Sequence, residues 1–144
     1  MDIKKISDSF SVVAQLQASD LEAVKAAGFK TLINNRPDAE DEGQPLNDDI
    51  AKKAAELGLA FYYLPVISGQ VTDEAAAEFE KILANVAAPV LAFCRSGNRC
   101  LCLWSLVNAS QNKKPFAELQ ATAQQAGFDL TNLQARIEQR AGHA

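Results

Sequence analysis

Between Val90 and Trp104 the chain reads VLAF, CRSGNR, CLCLW. The first of these runs constrains the fold most. Four consecutive apolar residues without alternation mark a strand covered on both faces, as in the centre of a parallel sheet. Such a strand needs helices above and below it, and crossovers to reach its parallel neighbours. After it, Cys94 to Arg99 reads as a small polar turn, and helical content resumes from Leu101 to Asn108.

The rest of the sequence supplies the missing pieces. A helix runs from about Asp20 to Gly28 with Leu21 and Val24 on one face, and Ser19 or Asp20 is its expected N-cap. Phe29 to Asn34 is a short strand, followed by a polar, acidic loop from Asn35 to Gln44. Asn47 is placed to cap a helix with Ile50, Ala54 and Leu57 inside and Gly58 as its stop. Leu59 to Val66 is the next strand, ending near Pro65, which cannot donate to a ladder. Thr72 caps a helix carrying Phe79, Ile82 and Leu83. Pro115 opens a helix that Gly127 closes, and Asp129 is placed to cap a last helix with Leu130, Leu133 and Ile137. An initial strand at Phe10 to Val13 is weakly marked. At 144 residues this is one domain, 1–144. The expected fold is α/β, a central mainly parallel sheet of about four to five strands flanked by helices. Ligands of such sheets bind beyond the carboxyl ends of the strands, where the turn after Phe93 sits.

Scarce residues narrow the chemistry. The single histidine, His143, is next to last, and chain ends are poorly placed for catalysis. That argues against a Ser-His-Asp triad and His-rich metal sites, so no metal or other cofactor is expected. A net charge of −4 argues against a nucleic-acid partner. No run approaches a membrane span or a signal peptide. With three cysteines, an odd number, this points to a reducing cytoplasm and to thiols that are reactive or merely buried. Oligomeric state is not legible.

The turn itself has a specific physical reading. Gly97 permits a sharp bend and close approach of a ligand. Successive N–H groups of Arg95, Ser96, Gly97, Asn98 and Arg99 can form an anion nest, reinforced by the positive end of the following helix. Arg99 adds a planar fork for two oxyanion oxygens. The same field stabilises a thiolate: helix N-termini and nearby cations lower a cysteine pKa to between roughly 3.5 and 7.5. Cys94 is therefore the expected nucleophile. Attack on a phosphate ester gives a thiophosphate; attack on a sulfane-sulfur donor leaves a persulfide. Cys102 is expected to pack in the core. Cys100 is either packing or a thiol that resolves oxidised Cys94.

CRSGNR after an apolar strand looks like the nucleophile loop of cysteine-dependent phosphatases and rhodaneses. The wider pattern, TLINNRPDAEDEGQP, then FYYLPV, then PVLAFCRSGNRCLCLW, resembles the bacterial family of small phosphatase-like domains named after the beta-lactamase-hydrolase-like proteins. The likeness covers nearly the whole chain. It implies the fold of dual-specificity and tyrosine phosphatases and a metal-free phosphoesterase with Cys94 as nucleophile and Arg99 on the phosphoryl group. Its substrate would be a phosphorylated small molecule or protein.

Three features depart from ordinary members of those phosphatases. Four residues instead of five separate Cys94 from Arg99, Phe93 stands where they have His, and Cys100 stands where a hydroxyl helps the thiolate leave. The shorter loop is the rhodanese length and keeps sulfur transfer as the rival, with a non-catalytic oxyanion-binding module as a third reading. Those phosphatases take a proton donor from the loop before the Cys strand, here Ile67 to Val71, which holds no acid. Asp73 reads as helix-dipole stabilisation. The remaining source is the acidic loop, from which Asp38 and Glu40 are the candidate acids. Arg36 is either a second cation on the phosphate or the partner of that loop.

Overall fold

The structure, a computed structural model, describes residues 1–142; His143 lies outside the described residues. Five strands form one sheet: β1 (Lys4–Lys5), β2 (Phe10–Val13), β3 (Thr31–Asn34), β4 (Ala60–Tyr63) and β5 (Val90–Phe93), in the order β1-β2-β5-β3-β4. The last four are parallel, and only β1 runs antiparallel, against β2. β5 is central, and all four of its residues are buried, as the unbroken apolar run requires.

Among the described residues there are six α-helices: α1 (Leu21–Ala26), α2 (Asn47–Leu57), α3 (Asp73–Asn85), α4 (Asn98–Gln111), α5 (Phe116–Gln125) and α6 (Gln134–Arg140). On one face Leu21, Val24, Ile50 and Ala54 pack with Leu32, Leu91 and Phe93. On the other, Phe79, Leu103, Leu106, Leu119 and Ile137 pack with Val12, Ile33 and Ala92. Alternation along β2, β3 and β5 thus feeds two cores. Trp104 belongs to the second core, stacked on Phe10 with ring centroids 6.0 Å apart.

Several local expectations are corrected. β4 stops at Tyr63, although Leu64 and Val66 still donate to Asn34 and Asn35; Pro65 between them has no N–H to give. β3 begins at Thr31, not Phe29. Asn47 is the first residue of α2, with Leu46 at the cap position. Its N–H is taken by Asp38 Oδ1 at 2.7 Å and its side-chain oxygen by Asn34 at 3.0 Å. Ahead of α1, Gln17 and Asp20 form a capping box around a short 3-10 turn; Asp20 holds the N-cap position of α1, as expected, but its side chain makes no capping bond to that helix. Asp129 does not cap α6: its Oδ1 accepts the N–H of Thr131 at 2.9 Å, at the start of a 3-10 turn, Thr131–Leu133, whose cap position is Leu130. Thr72 does cap α3, accepting from Ala75 N at 3.1 Å. α4 starts at Asn98, earlier than the Leu101 expected, which leaves the turn after β5 only Cys94 to Gly97.

The register decides where the site lies. Val13 and Asn34 both pair with Phe93, and Asn34 with Tyr63. The strands therefore end level, and the segments after β2, β3 and β5 leave the sheet side by side.

Candidate active site

Gly97 precedes α4 with φ at +95°, a left-handed conformation that L side chains resist. The bend returns its N–H to Cys94, whose Sγ accepts it at 3.1 Å. Cys94 is 1% exposed and sits on the floor of the loop. The amides of Cys100, Ser96 and Arg99 also point to this sulfur. The thiol pKa falls from 9.0 to about 5. The largest cause is a hydrogen bond from the Cys100 side chain; burial opposes it, and the backbone N–H groups add to it. Cys100 carries the opposite consequence, its pKa pushed up by burial and by the neighbouring Cys94, so it stays a protonated donor. Burial also raises Cys102, to about 11, consistent with packing in the core.

Arg99 is buried at the start of α4. Its Nη1 donates to Glu40 Oε2 at 2.7 Å and to the Val66 carbonyl at 2.9 Å, and Nη2 to Glu40 Oε1 at 2.8 Å. Among the described residues, its Nε–H has no partner within the chain. The fork is thus held along one edge by a carboxylate while the edge carrying Nε stays open to a ligand. Arg36, also buried, reaches the same carboxylate through Nε at 2.8 Å and Asp41 through Nη2 at 2.6 Å. Its Nη1 donates to Gln15 Oε1 at 3.0 Å. Of the two roles open to Arg36, the structure shows the pairing with the acidic loop. Held first by Arg99, Glu40 has its pKa lowered from 4.5 to about 2, so it is an anion at neutral pH and no store of a proton. This placement makes Glu40 a clamp on Arg99, a role the sequence reading did not assign it. Asp38 is exposed, its carboxylate spent on the N–H of Asn47.

Arg95 and Ser96 are exposed at the lip of the loop. Arg95 leans toward Asp41 at 3.4 Å, and its carbonyl accepts from Gln15 N. Asn98, also exposed, opens α4. Ser96 Oγ accepts the N–H of Asn98 at 3.3 Å, which fixes the lip locally. The β4–α3 loop brings no acid, as expected, and Asp73 beyond it is tied to Arg136 and Arg140 at 3.0 and 3.3 Å. Beside Arg99 a cavity of about 350 Å³ opens, walled by that loop and by residues 129–136. No feature of those residues marked them as part of the site in the sequence. Only the packing of α6 against α4 and the loop after β4 brings them there.

Residues 2–111 match the family described as beta-lactamase hydrolase-like protein, phosphatase-like domain. A curated beta-lactamase hydrolase-like protein of Xylella fastidiosa is 30% identical over 141 residues, covering 98% of this chain but 33% of its own length. A similar protein of Agrobacterium fabrum is 30% identical over 90% of the chain and 30% of its own length. The chain thus spans about a third of these curated relatives. A solved structure from Neisseria meningitidis z2491, described as a candidate phosphatase, is 33% identical with a TM-score of 0.86, covering 97% of this chain and 99% of that one.

Proposed function

This chain belongs to the phosphatase-like domain family of the beta-lactamase hydrolase-like proteins, and from that premise we propose that it is a cysteine-dependent phosphoric monoester hydrolase. The observation that carries the reading is the sulfur of Cys94, accepting the Gly97 N–H at 3.1 Å with its pKa at about 5. A thiolate in a cup of amides, beside a fixed guanidinium, has an anionic electrophile as its natural partner. In the first step the Cys94 sulfur attacks phosphorus. The S–P bond forms, the P–O bond to the ester group breaks, and its electron pair leaves with that oxygen. The amides of Arg95 to Arg99 and the open edge of Arg99 hold the non-bridging oxygens, while Glu40 keeps the guanidinium in place. Water then attacks phosphorus, the S–P bond breaks, and inorganic phosphate and the thiolate are restored. The Cys100 S–H stabilises the sulfur anion as it departs.

The substrate is a phosphorylated small molecule or a protein. Glu40 is held ionised, and so is Asp129 at about 2; Asp73 is lowered as well, chiefly by Arg136. These three carboxylates are thus poor proton donors at neutral pH. Esters with good leaving groups are therefore favoured. In the deciding assay, p-nitrophenyl phosphate is hydrolysed by the native chain, by Cys94→Ser not at all, and by Arg99→Ala at least 100-fold more slowly. Hydrolysis that survives Cys94→Ser would refute the proposal.

The four-residue spacing between Cys94 and Arg99 favours one second reading, sulfur transfer. Thiosulfate would pass its outer sulfur to the thiolate and release sulfite, adding one sulfur to the intact mass. An unchanged mass would remove this reading.

A further inference from the structure

The cavity beside Arg99 shares Asn98 and Arg99 with the loop, so a phosphoryl group on the loop has it as a neighbour. Val71, Leu130 and Leu133 give it apolar walls. Its two cations each face a carboxylate: Arg99 pairs with Glu40, its open edge being left for the phosphoryl group, and Arg136 with Asp73 at 3.0 Å and the Val71 carbonyl at 2.7 Å. Its anion is not fully engaged. Asp129 Oδ1 accepts from Gln120 and from the Thr131 N–H and hydroxyl. Asp129, Asn98 and Asn132 are exposed at its rim, and among the described residues Asp129 Oδ2 and the two side-chain amides have no partner within the chain. What this cavity offers a ligand is a charged acceptor flanked by amide oxygens, over apolar walls that suit an alkyl stem.

A second observation points the same way. Glu40 is tied to Arg99 and Arg36, Asp41 to Arg36 and Arg95, and Asp73 to Arg136 and Arg140, so a leaving group that needs no proton from the enzyme suits this site. A phosphorylated guanidine meets both conditions. We propose that the cavity receives a guanidinium and that Cys94 acts on N-phosphorylated guanidines of the phosphoarginine class; this rests on the phosphatase reading above. The Cys94 sulfur attacks phosphorus, the S–P bond forms and the P–N bond breaks. The electron pair stays on nitrogen, where it cancels the positive charge already spread over the guanidinium. A neutral guanidine leaves and takes its proton from water afterwards. Hydrolysis of the thiophosphate completes the cycle. Asp129, with Asn98 and Asn132, accepts the N–H groups of the guanidinium.

The test sets four substrates side by side on the intact chain: phosphoarginine, an arginine-phosphorylated peptide, phosphotyrosine and p-nitrophenyl phosphate. The expected kcat/KM for at least one of the arginine substrates exceeds that for phosphotyrosine tenfold or more, and which of the two is faster identifies a free or a protein-borne source. Asp129→Asn lowers the ratio of arginine to nitrophenyl substrate at least tenfold; a smaller fall overturns the inference. Should that variant not fold by circular dichroism, Asn132→Asp decides, with a threefold rise in the ratio expected and anything less overturning it. Nitrophenyl hydrolysis with no preference for the arginine substrates defeats the cavity assignment alone. No hydrolysis of any of the four defeats the phosphatase reading itself.

Discussion

Two side chains of the site, Cys94 and Glu40, are both held as anions, and each yields a prediction. The Cys94 pKa is lowered from 9.0 to about 5, first by the Cys100 S–H. Between those values the folded chain holds a thiolate while the unfolded chain holds a thiol. The unfolded state then binds more protons, so this group adds stability as pH rises from 5 to 9 and loses it as pH falls through 5. The rate of Cys94 alkylation by iodoacetamide should therefore have its midpoint near pH 5, and Cys100→Ala should move that midpoint upward. A midpoint that stays put would remove Cys100 as the main donor. The same contact predicts a Cys94–Cys100 disulfide under mild peroxide, to be sought by peptide mapping. Glu40 makes the contrasting case. If it clamps Arg99, Glu40→Gln should lower kcat/KM about 10- to 100-fold, about 1.4 to 2.7 kcal/mol, equally for nitrophenyl and for poor leaving groups. A proton donor would instead show its loss mainly on the poor ones. The Cys94 thiolate was readable from the turn, but the Glu40 clamp was not: Glu40 and Arg99 lie 59 positions apart, and only the level ends of β3 and β5 bring them together.

At the scale of elements, the loop depends on one glycine and one helix start. Gly97 holds φ at +95°, and a Cβ there would meet Val12 Cγ2 at 3.3 Å and Phe128 Cζ at 3.4 Å. Gly97→Ala should cost about 1 to 3 kcal/mol in urea unfolding. It should also slow nitrophenyl phosphate hydrolysis at least 100-fold, because the N–H that meets Cys94 would be turned away. Unchanged hydrolysis would separate this amide from the chemistry. The strand, the turn and the helix were legible from VLAF, CRSGNR and CLCLW because each has a local cause: unbroken apolarity, a Gly and a helical run. Caps were read less well. Asn47 and Asp129 have the right side chains in the right neighbourhood, yet Asp38 takes the N–H of Asn47, and Asp129 serves a 3-10 turn. Which acceptor takes an N–H depends on tertiary placement, and sequence spacing does not contain it.

The whole molecule raises the question of what the last quarter of the chain does, since the family match ends at residue 111. Sequence patterning identified two further helices there but gave them no task. In the structure α4 is the pivot: ten of its residues, from Arg99 to Val107 and Ala109, are buried. A helix covered all round cannot rest on the sheet alone. Leu119 and Ala123 of α5, Leu130 and Ile137 of α6 and its approach complete that cover, each 1% exposed or less. Arg140 ties α6 back to the Leu106 carbonyl at 2.8 Å. Losing one such buried leucine or isoleucine costs about 2 to 5 kcal/mol, against a total stability of about 5 to 15 kcal/mol for a domain. Removing α5 and α6 together exceeds what the remaining core can offset. A chain ending at Gln111 should therefore show no cooperative thermal transition by circular dichroism, whereas one ending at Gly142 should melt as the full chain does. A sharp melt of the shorter chain would mean that α4 finds other cover. Residues 112–142 would then matter only for the wall they lend to the cavity beside Arg99.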